Sequence, residues 1–157
     1  MSIAKELSQH FKNIYFGGNW TGTHYKAVLE DLTWQEATTK LAGQNPILTL
    51  VYHTHYFNAE GIKMLQLALF EAKDELSFQP PEIKSANAWQ NFLEHVYTTA
   101  EALAIEVGKL KDEQLLKPLA PQFKKSSFYN LNGILEHLHY HLGQIVILKK
   151  LIRQHGK

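Results

Sequence analysis

The sequence predicts an all-α fold: a four-helix bundle in which a long crossover joins the second and third long helices. Three observations carry that expectation. Four long segments place apolar residues at helical spacing, their starts carry capping residues, and between Glu71 and Lys84 charged residues and Gln79-Pro80-Pro81 interrupt the pattern. The chain has 157 residues, 45% of them hydrophobic, which suits one domain spanning residues 1–157 with a substantial core. Sixteen Lys and Arg against 15 Asp and Glu give a net charge of +1, which offers phosphate backbones no general attraction, so nucleic acid is not an expected partner. No apolar run is long enough to span a bilayer, and the opening Met1 to Asn13 is amphipathic and charged without a signal-peptide core, so a cytoplasmic protein with no membrane partner is expected. Cysteine is absent, which removes disulfides, thiolate ligands and a cysteine nucleophile together.

The first helix is expected over Ser2 to Phe16, with Ile3, Leu7, Phe11 and Ile14 as its inward stripe and Gly17-Gly18 as its break. Asn19 is a fair N-cap for a second piece, Trp20 to Glu30, continuing past a kink or restarting beside the first. Within it Trp20 and His24 are spaced i, i+4, which suits one aromatic packing on the next turn or, alternatively, lining a pocket. Thr33-Trp34-Gln35-Glu36 has the form of a capping box and should start a short helix to about Leu41.

Asn45-Pro46 supplies an N-cap followed by proline at the first helical position, predicting a long helix to about Phe70. Thr49, Leu50, His53, Phe57, Glu60, Met64 and Leu67 lie along one side of it, and Val51, His55, Ile62 and Leu69 along the other. One side fills the core, and the other then needs a neighbouring helix or another subunit; periodicity alone does not choose between His53 and His55 as the inward histidine. With Gly143 on the back of the last helix permitting close approach, the second apolar side leads us to expect a two-fold homodimer. The connection from Glu71 to Lys84 reads as a loop long enough to cross the end of a bundle and let the next helix run parallel. Ser85 or Asn87 then caps a helix to about Leu110 with Trp89, Phe92, Val96, Leu103 and Val107 inward, and His95 near that face in a core or surface role. Lys111 to Ser127, with Pro118 and Pro121, should be irregular.

The last helix, Tyr129 to Arg153, carries the chemistry. Ile134, His137, His141, Ile145, Leu148 and Ile152 fall on one stripe, widened by Leu131, Leu138 and Leu142, so His137 and His141 point into the core. At i, i+4 their imidazoles stand one above the other, the geometry in which both can reach one metal ion; each could otherwise be a satisfied core histidine. His139 lies about 160° or more from both around the helix and is not a third ligand. No Gly-rich phosphate loop or nucleophile elbow occurs.

The stretch His137-Leu-His-Tyr-His141-Leu-Gly143-Gln144-Ile145 resembles the H-x-x-x-H-x-G-Q ending of the DinB-like family of four-helix-bundle metalloproteins. Leu50-Val51-Tyr52-His53 followed by Tyr56-Phe57 is similar to that family's ligand-bearing second helix, and Asn19-Trp20 with Thr33-Trp34-Gln35-Glu36-Ala37 resembles the opening of one subgroup. The resemblance implies an up-down-down-up course and a divalent metal bound by His53, His137 and His141, with water at an open position. Zinc or nickel is expected ahead of iron or manganese, although a histidine-only ligand set does not separate them. Leu138 stands where an acidic residue often follows the first histidine, so the group that orients His137 is one the resemblance does not name. Gln144, about 20° from His137 around the helix, is a candidate to support a ligand or contact substrate, with helix packing as its plainer role. Glu60, two turns beyond His53, is a candidate general base or ligand support, again with packing as the plainer role.

Relatives of that kind include thiol transferases and thiol-dependent isomerases. The expectation for function is metal-activated thiol transfer or hydrolysis on a small-molecule substrate, with a low-molecular-weight thiol as a candidate partner. The alternative is a non-catalytic, metal-stabilised binding or stress-response module.

Overall fold

Each of the four periodic segments forms a long helix in the computed structural model, which describes residues 2–155, and no strand occurs among those residues. The long helices are α1 (Ile3–Phe16), α4 (Ile47–Leu67), α6 (Ala86–Gly108) and α8 (Ser127–His155). Between them lie the short helices α2 (Tyr25–Leu29), α3 (Trp34–Thr38), α5 (Asp74–Ser77) and α7 (Asp112–Leu115). No helix among the described residues is long and apolar enough to cross a membrane.

Local chemistry accounts for the starts and stops. Ser2 accepts from the Lys5 amide at the head of α1, and Gly17 and Gly18 end that helix at φ of +107° and +90°, where a side chain would be strained. The capping box of α3 is complete: Thr33 accepts from the Glu36 amide, and Glu36 accepts from the Thr33 amide. Pro46 occupies the position before α4, so the helix starts one residue later than Asn45-Pro46 suggested, and Ala68, in the left-handed conformation, ends it at Leu67 rather than Phe70. Ser85 caps α6 by accepting from the Ala88 amide.

Several expectations are corrected. The stretch from Trp20 to Glu30 is not one helix: α2 begins only at Tyr25, capped by His24 Nδ1, which accepts from the Ala27 amide at 3.3 Å. Trp20 is fully exposed and does not pack on His24, while the buried Asn19 is no helix cap but donates to Thr21 and to the Thr23 carbonyl. A local side chain-to-backbone network has displaced the helix that propensity alone would allow. Ile3, Leu67 and Leu69 are exposed, and Ala4 takes the core position near the start of α1. Short helical turns, α5 and α7, occupy two stretches that read as irregular.

One continuous apolar core runs through the helices. At its centre α4 lies between α6 and α8, which explains why it is apolar nearly all round: Val51 and His55 are buried as well as Leu50, His53 and Met64. The second side of α4 is therefore covered by α6, and no other subunit is needed for it. Gly61 marks the tightest passage, since a Cβ there would stand 3.2 Å from both Leu103 Cδ1 on α6 and Ile134 Cδ1 on α8. His55 meets His95 with ring centroids 4.8 Å apart, and Gln66 donates to Glu106 further along. On the other flank of α6, α1 is fixed by the Ser8 hydroxyl donating to the Ala104 carbonyl at 2.6 Å and by Asp112 accepting from the Ala4 amide.

Two buried aromatic residues tie the early short segments to the long helices. Trp89 donates to the Leu32 carbonyl at 2.9 Å, and the Tyr25 hydroxyl donates to the Leu138 carbonyl at 3.0 Å, so each fills the core without stranding its polar atom. Lys149 binds the Val28 carbonyl and Asp31, while Arg153 reaches Asp31 and Glu36, pinning the far half of α8 to α2 and α3. These bonds hold α8 in register at Leu138, between the two histidines it carries, and about two to three turns beyond His141.

Candidate metal centre

The site lies where α4 passes α8. Helical spacing puts His137 and His141 one turn apart on the inward stripe, and α4 presents His53 to them. His53 and His141 are buried and His137 is partly buried. The His53 and His137 Nε2 atoms are 2.8 Å apart, and one nitrogen of each of the three rings lies within 4.8 Å of the others. Nitrogens bound at about 2.0–2.1 Å to a tetrahedral ion stand roughly 3.3 Å from one another. The one close pair is a few tenths of an ångström tighter than that, and the third nitrogen is near enough for small side-chain shifts to seat all three on one ion.

Hydrogen bonds fix which nitrogen of two rings faces the centre. The Ser77 hydroxyl donates to the Asp74 carbonyl at 2.6 Å, so toward His53 it accepts, taking the Nδ1–H at 2.7 Å. His141 Nδ1–H donates to Gln144 Oε1 at 2.7 Å, and the Gln144 amide nitrogen donates to the Tyr140 hydroxyl at 3.1 Å. Both Nε2 atoms therefore turn a lone pair inward. At 2.8 Å, two ring nitrogens need a shared proton or a cation between them, since two bare lone pairs repel.

Electrostatics keep the rings neutral, the form that ligates. Burial lowers His53 to about 4, reinforced by His141 and opposed by the nearby Asp74 carboxylate. Burial likewise lowers His137 to about 4, reinforced by His141 and His53 and again opposed by Asp74. His141 is also lowered by burial, with its bond to Gln144 acting against the shift. The walls are aromatic: Phe78 stacks on His53 at 4.1 Å, and Phe57 meets both His53 and His137 edge-on near 5 Å. A neutral three-imidazole set, supported on two outer nitrogens and enclosed by aromatic rings, fits a divalent ion.

The structure thus brings His53, His137 and His141 together and places Gln144 against one of them. Glu60 is buried on α4, but its carboxylate is taken by Lys63 at 2.6 Å and is not part of the histidine group. His139 stands apart, bonded to the Leu135 carbonyl and edge-on to His10. His55 faces His95 on the α6 side of α4, which answers the question periodicity left open. Leu138 is wholly buried, with its carbonyl bonded to Tyr25; the ring of His137 is held instead by His53 and Phe57.

Asp74, Ser77 and Phe78 were not legible as site residues. Asp74 and Ser77 are the ends of the four-residue helix α5 and Phe78 follows it, a stretch too short for periodicity to register; the one available signal was Phe78, a lone aromatic residue before Gln79-Pro80-Pro81. A cavity of about 160 Å³ reaches the cluster from outside, lined in part by Phe78, Tyr140, His141 and Gln144. No protein-family model, curated protein or solved structure matches this chain.

Proposed function

We propose that this chain is a DinB-like metalloprotein that uses a divalent metal held by His53, His137 and His141 to activate a small nucleophile, a thiol or water, for transfer to an electrophile or for hydrolysis. The observation that carries this reading is the convergence of three neutral imidazoles at the end of a cavity that reaches His141.

Packing relations support the up-down-down-up course that the reading includes. Along α1, contacts with α6 run backwards, from Ala4 at Asp112 just beyond its end, through Ser8 at Ala104, to Phe16 at Tyr97. Along α4 they run forwards, from His55 at His95 through Gly61 at Leu103 to Gln66 at Glu106. Against α8 they reverse again, with His53 at His137 and His141 and Gly61 at Ile134.

A bound divalent ion supplies Lewis acidity, which lowers the pKa of water or a thiol toward neutrality. The chain's own residues supply the rest. Ser77 holds His53 in the tautomer that ligates through Nε2, and Gln144 does the same for His141. Phe57 and Phe78 shield the cluster from water, which strengthens charge interactions inside it. Gln144 and Tyr140 line the cavity and offer polar groups to a substrate entering there. With no cysteine in the chain, a thiol nucleophile must arrive from solution.

The test is a screen of metal-loaded protein against electrophiles, with and without cellular thiols, beside the His141→Ala variant. Metal-dependent turnover lost in the variant is the expected result. No turnover across the screen, together with a metal spectrum that neither thiol nor azide perturbs, would instead assign the metal a structural role.

A further inference from the structure

The cavity at His141 does not stand alone. Gln44, Gln144 and Leu148 line it and also line a larger groove of about 640 Å³, whose other walls are Leu41, Ala42, Ile147 and Leu151. Polar groups thus gather at the histidine end, where Asn45, Tyr140, His141 and Gln144 lie, and the far end is aliphatic. No charged side chain lines either cavity among the described residues, so a charged group in the groove would lose water without gaining a counterion. Ile147 is 59% exposed, an apolar side chain left on the groove wall. The groove's volume lies within the range of small-molecule sites. From His141 to Leu151 the α8 axis advances about 15 Å at 1.5 Å per residue.

We propose that this groove seats the uncharged apolar tail of an amphipathic small molecule whose polar, reacting head lies at the histidine cluster. The proposal rests on the metal-centre reading and adds the substrate class: an electrophile carrying an alkyl or aryl tail, rather than a compact polar metabolite. Gln144 stands at the junction, holding His141 through Oε1 while its side chain forms wall to both compartments. A tail lying along α8 would cover Ile147 and Leu148 and draw the head toward His141.

The experiment uses zinc-loaded full-length protein and a series of straight-chain alkyl hydroxamates, from acetohydroxamate upward, with affinity read by calorimetry. The hydroxamate head binds the metal and the chain probes the groove. Affinity is expected to rise about fourfold for each methylene buried, then level off once the groove is filled. Ala42→Glu and Ile147→Glu each place a carboxylate on the groove wall at an exposed position; both should flatten the rise, judged by the ratio of long-chain to short-chain affinity within each protein. Acetohydroxamate binding with no dependence on chain length overturns the groove and leaves the metal centre standing. A rise that persists undiminished in both variants overturns the groove as well, because the chain then lies elsewhere. Failure of acetohydroxamate to bind zinc-loaded protein shows a metal with no open position and overturns the activation reading and the tail proposal together, while leaving the three-histidine ligand set in place.

Discussion

Replacing Ser77 by alanine removes one oxygen, and the structure gives its consequence a size. That oxygen accepts the Nδ1–H of His53 at 2.7 Å, in a place where Ser77 is fully buried and His53 is 4% exposed, so solvent is poorly placed to substitute for it. Leaving a buried donor unpaired costs about 1–3 kcal/mol. Losing a partner that orients a ligating histidine lowers metal affinity by about 10–100-fold, which is about 1.4–2.7 kcal/mol. Ser77→Ala should therefore weaken zinc by that factor, measured by competition with a chromogenic chelator near neutral pH. Gln144→Ala removes the corresponding acceptor from His141, but Gln144 is only partly buried and water can replace it, so a loss of less than about tenfold is expected. Equal zinc affinity in wild type and Ser77→Ala would refute the argument that the crossover turn sets the His53 tautomer.

Alanine at His53 should remove most of the metal from protein purified without an affinity tag, whereas alanine at His55, which faces α6, should retain it; elemental analysis showing equal retention would remove the ligand assignment. The metal-free protein should lose stability as pH falls from about 6.5 toward 4. His53, His55 and His137 are lowered to about 4 in the fold, so below their ordinary value of 6.5 the unfolded chain takes up protons that the folded chain refuses. For each of the well-buried His53 and His55 this is worth roughly 3 kcal/mol at most, and urea titrations across that range should show the slope; a flat profile would contradict the burial of neutral imidazoles. Gly61→Ala should destabilise by about 1–3 kcal/mol despite alanine's better helix propensity, because its methyl meets Leu103 and Ile134 at 3.2 Å; a gain in the same urea titration would show that α4 has room to spare there.

The long helices were legible because burial on one or two faces writes itself at helical spacing, and Ser85 and the Thr33–Glu36 box announce their helices by the bonds they make. His137 and His141 were legible for the same reason. Choosing His53 over His55 was not, since α4 is buried on both sides and its periodicity points two ways. Asp74, Ser77 and Phe78 escaped notice because their positions depend on how the crossover folds back across α4, a tertiary relation with no local period. The failed helix at Trp20 has a local cause that propensity does not register: Asn19 spends its side chain on the Thr23 carbonyl of the turn, and His24 caps a helix that starts only at Tyr25.

The two sides of the histidine cluster are 84 residues apart in sequence, with the supporting hydroxyl on the crossover between them. A chain emerging from the ribosome therefore has no three-ligand site until its last long helix has been made and has docked on the second. His137 and His141 alone, on an undocked helix, offer an ion only two imidazoles and none of the aromatic enclosure. Three-imidazole capture of a metal would therefore wait for α8 to dock on α4, and an undocked chain would compete only weakly for a cell's free metal pool.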